Sequence, residues 1–247
     1  MRKIYTKKYY YLICFLIIPI IINGQSIRKD SLERAEVFVS SGMIDDALPI
    51  LNNLIKFNEN NYQALMYRTM AYYQLGLYDK ALEDAISMIE DSQNLNEEQK
   101  YNANWNAAVS LIMQSNFKKS LDFILEANKL QPDSPKANQT LSLVYINLGE
   151  FNKARKMLKK LTKKYPFDHG NYKLMGQSYL MNKEYKEALP YYDKAIEINK
   201  FYAPSYENRA TVKFYLGDKE GACKDLQAAF ELGITHLEEI IKERCSE

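Results

Sequence analysis

Residues 75–81 read LGLYDKA, and a similar stretch, LGEFNKA, occupies residues 148–154. Related copies are SGMIDDA at 41–47, SNFKKS at 115–120, NKEYKEA at 182–188 and LGDKEGA at 216–222. Each copy ends in a small residue, and consecutive ends are 34, 39, 34, 34 and 34 residues apart. A repeated period of this length indicates stacked copies of one supersecondary unit. The small end residues are Ala47, Ala81, Ser120, Ala154, Ala188 and Ala222.

The period divides residues 28–236 into six repeats with one five-residue insertion. Apolar residues recur at helical spacing on both sides of a break near repeat position 15, which predicts a helix A and a helix B in each repeat. Glycine occupies that break in four repeats. In the insertion, Asn96 and Gln99 predict a capping box at the start of the third helix A. The repeats are 28–61, 62–95, 101–134, 135–168, 169–202 and 203–236.

The pattern resembles the tetratricopeptide repeat (TPR). The resemblance implies an all-α fold: a right-handed superhelical α-solenoid of antiparallel helix pairs, with a groove lined by the A helices. The sixth repeat departs from the pattern, because Lys213 and Lys219 replace expected aromatic residues. Residues 234–247 carry apolar side chains at helical spacing, and the end of a solenoid needs a cover. This tail is therefore predicted to be a C-terminal capping helix.

The first 25 residues have a different composition. Four basic residues precede an apolar run of fourteen residues, and a short polar patch follows, which is the layout of a secretory signal peptide. The run is shorter than the roughly 20 residues of a spanning helix, although an uncleaved anchor stays an alternative. The expected location is outside the cytoplasm, in the periplasm or the extracellular space of a bacterial envelope. Membrane contact is expected only if the segment is uncleaved.

Charge and motifs argue against several classes of protein. The chain has 33 basic and 31 acidic residues, and this balance is unlike that of a nucleic-acid-binding protein. The two histidines, His169 and His236, fall in turns about two repeats apart, and no catalytic or phosphate-binding motif is present. We therefore expect no enzymatic activity, no cofactor and no metal. The recurring pairs Arg68–Asp84 and Arg209–Asp225 predict structural salt bridges rather than a reactive acid.

The predicted binding site is the groove. In the TPR family, helix A positions 2, 5, 9, 12 and 13 face the concave surface. In the second to fourth repeats nine of these fifteen positions are apolar, and in the other repeats they are more polar. Exposed apolar surface of this kind marks partner-binding sites, although the same side chains could instead pack on neighbouring helices. A protein or peptide partner is expected, without the Lys–Asn pair that grips a C-terminal carboxylate. The groove residues are Met66, Met70, Tyr73, Trp105, Val109, Ile112, Met113, Leu143 and Ile146.

A second surface offers an alternative function. Helix B of the fourth repeat carries a run of basic residues that could hold an anionic surface, although such runs are more often solvated helix faces. On this alternative, the protein is a structural or assembly component of an envelope complex, engaged through its convex basic face. The basic residues are Arg155, Lys156, Lys159, Lys160, Lys163 and Lys164.

Three cysteines are present, and Cys14 lies within the predicted signal peptide. Cys223 occupies a position that is mostly apolar in the other repeats and that the next helix covers. After the sixth repeat, the next helix is the predicted cap, whose apolar stripe includes Cys245. The two side chains are therefore expected to be neighbours, and export would allow a disulfide that pins the cap to the last repeat.

Overall fold

The computed structural model describes residues 29–245, so the predicted signal peptide and Cys14 lie outside the described residues. The described residues form α-helices joined by short turns, with no strand between residues 29 and 245. No helix in this range is both long and apolar enough to cross a bilayer. The helices are α1 (29–40), α2 (Ile44–Phe57), α3 (Tyr62–Gln74), α4 (Tyr78–Glu90), a 3₁₀ turn (Ser92–Asn94), α5 (Glu97–Met113), α6 (Phe117–Leu130), α7 (Pro135–Asn147), α8 (Phe151–Lys164), α9 (His169–Met181), α10 (Tyr185–Ile198), α11 (Ala203–Leu216), α12 (Lys219–Glu231) and α13 (Leu237–Cys245).

The helices form two compact bodies, divided after Gln114. The N-terminal body contains α1 to α5, and the C-terminal body contains α6 to α13. Within each body, consecutive helices pack against one another, as expected for helix pairs. The all-α prediction is therefore confirmed. The third predicted repeat is divided, because its helix A is α5 and its helix B is α6.

The turns between helix A and helix B share one backbone conformation. Gly76 and Gly149 have φ angles of +70° and +77°, in the left-handed region that favours glycine. Ser115 and Lys183 occupy the same position in the third and fifth repeats and keep it at +59° and +62°. The repeat thus requires this turn conformation, and in two repeats a non-glycine residue adopts it at a cost in free energy.

The contact between the two helices of a repeat depends on a small residue facing a large one. In the first repeat, Ala35 and Leu51 are both fully buried in one core cluster. In the fifth repeat the small residue is smaller and the large residue is larger than in the first. Gly176 faces Tyr192, and a Cβ atom added to Gly176 would lie 2.9 Å from the Tyr192 ring. Tyr192 is fully buried, so the missing methyl group of Gly176 makes room for the ring.

Two arginines bridge the two helices of their own repeats, as the recurring pairs predict. Arg68 on α3 donates from Nε and Nη2 to the Asp84 carboxylate at 2.9 and 2.6 Å, and from Nη1 to Asn52 Oδ1 at 2.7 Å. Arg209 donates in the same way to Asp225, at 2.8 and 2.7 Å. Burial raises the pKa of the Asp84 carboxyl, and the Arg68 guanidinium opposes that shift. Each pair is a structural bridge between helix A and helix B of one repeat, the second and the sixth, and Arg68 also reaches the first repeat through Asn52.

In the sixth repeat, Lys213 continues this arrangement. Its ammonium lies 2.8 Å from Asp225 Oδ2, so the residue that replaces an aromatic side chain adds a second cation to the same carboxylate. The predicted capping box is confirmed at the start of α5, where Asn96 Oδ1 accepts from Gln99 N at 2.9 Å and Gln99 Oε1 accepts from Asn96 N at 3.0 Å.

The C-terminal helix α13 covers the last repeat. Leu237 is buried, and Ile241 packs against the cluster that contains Ala222 and Leu226. Cys223 on α12 and Cys245 on α13 are joined by a disulfide in the structure, with their Cα atoms 5.6 Å apart. This separation is ordinary for a disulfide, so the two helices meet without backbone distortion at this point.

Candidate partner-binding face

The helices α3 and α5 are joined by polar contacts inside the N-terminal body. The Tyr73 hydroxyl donates to the Asn106 carbonyl oxygen at 2.6 Å and lies 2.9 Å from Ser110 Oγ. The Asn106 amide donates to the Met66 sulfur at 3.1 Å. Asn106 and Ser110 are buried. These contacts hold the two helices in one register and fix the side chains that line their shared surface.

This surface, the α3–α5 face, has an apolar rim on a polar base. Met70 and Met113 are its most open side chains, with 43% and 50% of their surfaces exposed. The other five side chains are half-buried. Methionine adapts its shape to different partners, which suits a binding surface. The α3–α5 face consists of Met66, Met70, Tyr73, Trp105, Val109, Ile112 and Met113.

Tyr73 has a structural role within this face. Burial raises the pKa of its hydroxyl to about 12, although the hydrogen bonds with Ser110 oppose the shift. The neutral phenol is therefore held in place between α3 and α5 at neutral pH by its hydrogen bonds with Asn106 and Ser110. The sequence predicts Tyr73 as a groove residue but does not predict its partners, because no motif in the sequence marks Asn106 or Ser110.

The two remaining groove residues lie on α7, in the C-terminal body. Leu143 is half-buried and packs against a core cluster that contains Leu158. Ile146 is a buried member of the same cluster, with no exposed surface. The assignment of Ile146 to the partner-binding groove is therefore corrected, because it is buried in a cluster formed with side chains of α8 and α9.

The basic strip on α8 is smaller than its sequence indicates. Arg155 is turned inward: it donates to the Ser178 carbonyl oxygen at 3.0 Å, pairs with Glu184 at 3.1 Å, and lies 3.7 Å from the centre of the Tyr179 ring. Arg155 thus bridges α8 to α9 and does not belong to the free basic surface. The five lysines of the strip are exposed.

The histidines do not form a reactive site. His169 is half-buried with its ring 4.5 Å from that of Tyr202, and His236 is exposed with Nε2 3.3 Å from Glu207 Oε1. Between residues 29 and 245, no three His, Cys, Asp or Glu side chains are grouped as metal ligands would be.

Comparison with known families supports the assignment of the helix pairs to a repeat family. The model for the tetratricopeptide repeat matches residues 32–96, and the model for the anaphase-promoting complex (cyclosome) subunit 3 matches residues 122–195. Both matches lie in the repeat region, one in each body. The chain is a tetratricopeptide repeat protein. TPR proteins bind protein partners, so a role as a protein-interaction scaffold follows at the level of the family.

Individual relatives of this TPR protein are distant. A Hsp70-Hsp90 organizing protein from Triticum aestivum is 24% identical over 191 residues, covering 77% of this chain and 32% of the relative. The chain therefore spans about a third of the length of that curated relative. A TPR protein from Parabacteroides merdae superposes with a TM-score of 0.73 at 19% identity, covering 87% and 82% of the two chains.

A second solved structure is comparably similar. The type IV pilus biogenesis factor PilW superposes with a TM-score of 0.72 at 16% identity, covering 89% of this chain and 99% of PilW. At these identities, both solved structures show a shared fold and no shared partner.

Proposed function

We propose that this TPR protein is an exported, non-catalytic scaffold that binds a helix or an extended segment of a partner protein on the α3–α5 face. The observation that carries the proposal is the pair of exposed methionines, Met70 and Met113, above a base that buried hydrogen bonds hold fixed. A preformed base lowers the entropy that binding must overcome, and adaptable apolar side chains supply the contact area. The export part of the proposal is supported by the N-terminal sequence, in which four basic residues precede an apolar run of fourteen residues.

The structure also suggests how such a partner would be held. An amphipathic helix or a strand can place apolar side chains at regular intervals along a face of this kind. Around Met70 and Met113, Trp105 and Ile112 are half-buried and would contribute the edges of the contact.

The test replaces exposed side chains with aspartate. In the double variant Met70→Asp/Met113→Asp, we expect at least a tenfold loss of partner retention from an envelope extract, since a buried carboxylate opposes an apolar contact. The matched control is Met43→Asp, because Met43 is 47% exposed in the same body but lies in the α1–α2 turn. Circular dichroism checks that all variants remain folded. Equal retention by the double variant and by the wild type would refute the proposal.

Export is tested separately. Fractionation of cells that express the full chain should place it outside the cytoplasm, with residues 1–25 either removed or retained as an anchor. Recovery of the intact chain in the cytoplasm would contradict the export part of the proposal while leaving the α3–α5 face to be judged by its own experiment.

A further inference from the structure

Two phenylalanines of the C-terminal body are exposed at the same position of consecutive repeats. Phe167 precedes α9 and has 86% of its surface exposed, and Phe201 precedes α11 and has 73% exposed. They are 34 residues apart, which is one repeat period. The repeat fold does not need an aromatic residue there, because the other four repeats carry small polar or acidic residues at this position. Those residues are Asn60, Asn94, Asp133 and Thr235.

The two loops lie beside each other. His169, at the start of α9, and Tyr202, just before α11, have ring centroids 4.5 Å apart. Phe167 is two residues before His169, and Phe201 is next to Tyr202. The two exposed rings therefore emerge from adjacent loops on one edge of the C-terminal body, and they form an apolar pair rather than isolated surface residues.

Lysines surround this pair. The helix α8 ends at Lys164, three residues before Phe167, and it contains no acidic residue. Lys160 and Lys163 are exposed, and no ion pair within residues 29–245 involves either of them. On the second loop, the Lys200 ammonium lies 5.1 Å from the centre of the Phe201 ring. Each exposed ring is therefore accompanied by cations.

The acids of this edge are already engaged. Asp133 is paired with Lys164 at 3.4 Å. The Asp168 carboxylate accepts hydrogen bonds from Gly170 N at 2.9 Å and from Gln139 Nε2 at 2.7 Å. The Asp168 carboxylate keeps its negative charge, but Lys160, Lys163 and Lys200 outnumber it, so the net charge around the two rings is positive.

We infer that this edge docks on the surface of an anionic phospholipid bilayer. Phenyl rings gain free energy on entering the boundary between headgroups and acyl chains, and adjacent lysines gain it near anionic headgroups. A surface that combines both groups matches the order of layers in a bilayer, with phosphates outside and hydrocarbon beneath. Phe167 and Phe201 would enter the boundary layer while Lys160, Lys163 and Lys200 stay at the phosphates.

The first experiment measures binding of the exported protein to two kinds of vesicle. One is POPC alone, and the other is POPC with about 30% of the anionic lipid POPG. All variants carry the same N-terminus, so any contribution of that segment is common to them. Phe167→Ser/Phe201→Ser should lower partition onto the anionic vesicles by about tenfold or more. The matched control Phe57→Ser removes a ring that is 79% exposed in the other body, and it should bind like the wild type.

The lysines are tested in the same assay. Lys160→Gln/Lys163→Gln should lower partition by on the order of tenfold, whereas Lys118→Gln/Lys119→Gln, two exposed lysines of α6, should have little effect. Unchanged partition of either the double phenylalanine or the double Lys160/Lys163 variant would overturn the inference.

A second readout reports depth. In Phe167→Trp, fluorescence should be quenched by lipids brominated near the glycerol end of the acyl chains, beyond the quenching of the native Trp105 measured in the wild type. The control Phe57→Trp should show no additional quenching. Equal quenching in the two variants would show that the edge does not enter the bilayer and would contradict the inference.

Discussion

Gly176 and Tyr192 allow a quantitative test of how the repeats pack. In Gly176→Ala, the new methyl carbon would lie 2.9 Å from Tyr192 Cε2 and Cζ and 3.1 Å from Cδ2. Favourable carbon–carbon contacts are about 3.5–4.0 Å, and the ring is fully buried, so it has no free space to enter. Overpacking of this kind costs about 1–3 kcal/mol. The better helix propensity of alanine returns about 1 kcal/mol, so from the middle of the overpacking range, about 2 kcal/mol, we expect a net loss of about 1 kcal/mol.

The partner substitution separates this explanation from a general intolerance of change. Tyr192→Leu alone should cost about 2 kcal/mol through the cavity beside Gly176. The double variant creates the alanine–leucine pair that the first repeat forms with Ala35 and Leu51. Because the methyl group then occupies part of the vacated space, the double variant should lose at least about 1 kcal/mol less than the sum of the single losses.

Urea unfolding followed by circular dichroism gives the free energies, and hydrogen exchange of α9 and α10 locates the change within the C-terminal body. Local readout matters because helices of a repeat protein can open without global unfolding. A Gly176→Ala protein as stable as the wild type, or strictly additive effects in the double variant, would refute the packing argument.

Four further predictions follow from the turns, the salt bridges, the buried phenol and the cap. Lys183→Gly should stabilise the protein by about 1 kcal/mol in thermal unfolding, because glycine adopts the left-handed turn without strain; an unchanged melting temperature would contradict this. Asp225→Asn should cost about 3 kcal/mol in urea unfolding, because a guanidinium and an ammonium lose their shared carboxylate; a loss under about 1 kcal/mol would count against a structural bridge. The pKa of Tyr73 is raised to about 12, so its stabilising effect is complete below pH 10 and is lost as the pH rises towards 12; Tyr73→Phe should flatten stability over that window, and an unchanged slope would disprove its part in alkaline unfolding. Thiol labelling of the unreduced, exported protein should detect neither Cys223 nor Cys245, and reduction should cost about 3 kcal/mol, whereas two free thiols would exclude the disulfide.

The sequence predicts those parts of the fold that depend on local spacing. The 34-residue period, the turn glycines and the Asn96–Gln99 capping box each lie within a short stretch, and the helices begin and end where these signals occur. The Arg68–Asp84 bridge was also predictable, because its two positions recur in another repeat. The turn conformation at Lys183 shows the limit of this reasoning: the repeat imposes a backbone that the residue itself disfavours.

The surfaces were harder to predict, because exposure depends on what the neighbouring helices place against each position. Ile146 sits at a groove position but is buried in a cluster with side chains of α8 and α9. Arg155 belongs to a basic run but turns inward, where Ser178 and Glu184 bind it. Phe167 carries no motif, and only its exposure beside an adjacent loop distinguishes it from a core residue. Side-chain direction at these positions is a tertiary property that the repeat pattern does not encode.

The central claim is that the α3–α5 face binds a protein partner, and photocrosslinking in cells tests it most directly. A photoreactive amino acid would replace Met70 or Met113 in the full chain, with Met43 as the control position of similar exposure in the same body. The proposed function predicts the same crosslinked partner from Met70 and Met113 and none from Met43. The absence of an adduct at Met70 and Met113, or the same adduct from all three positions, would contradict it.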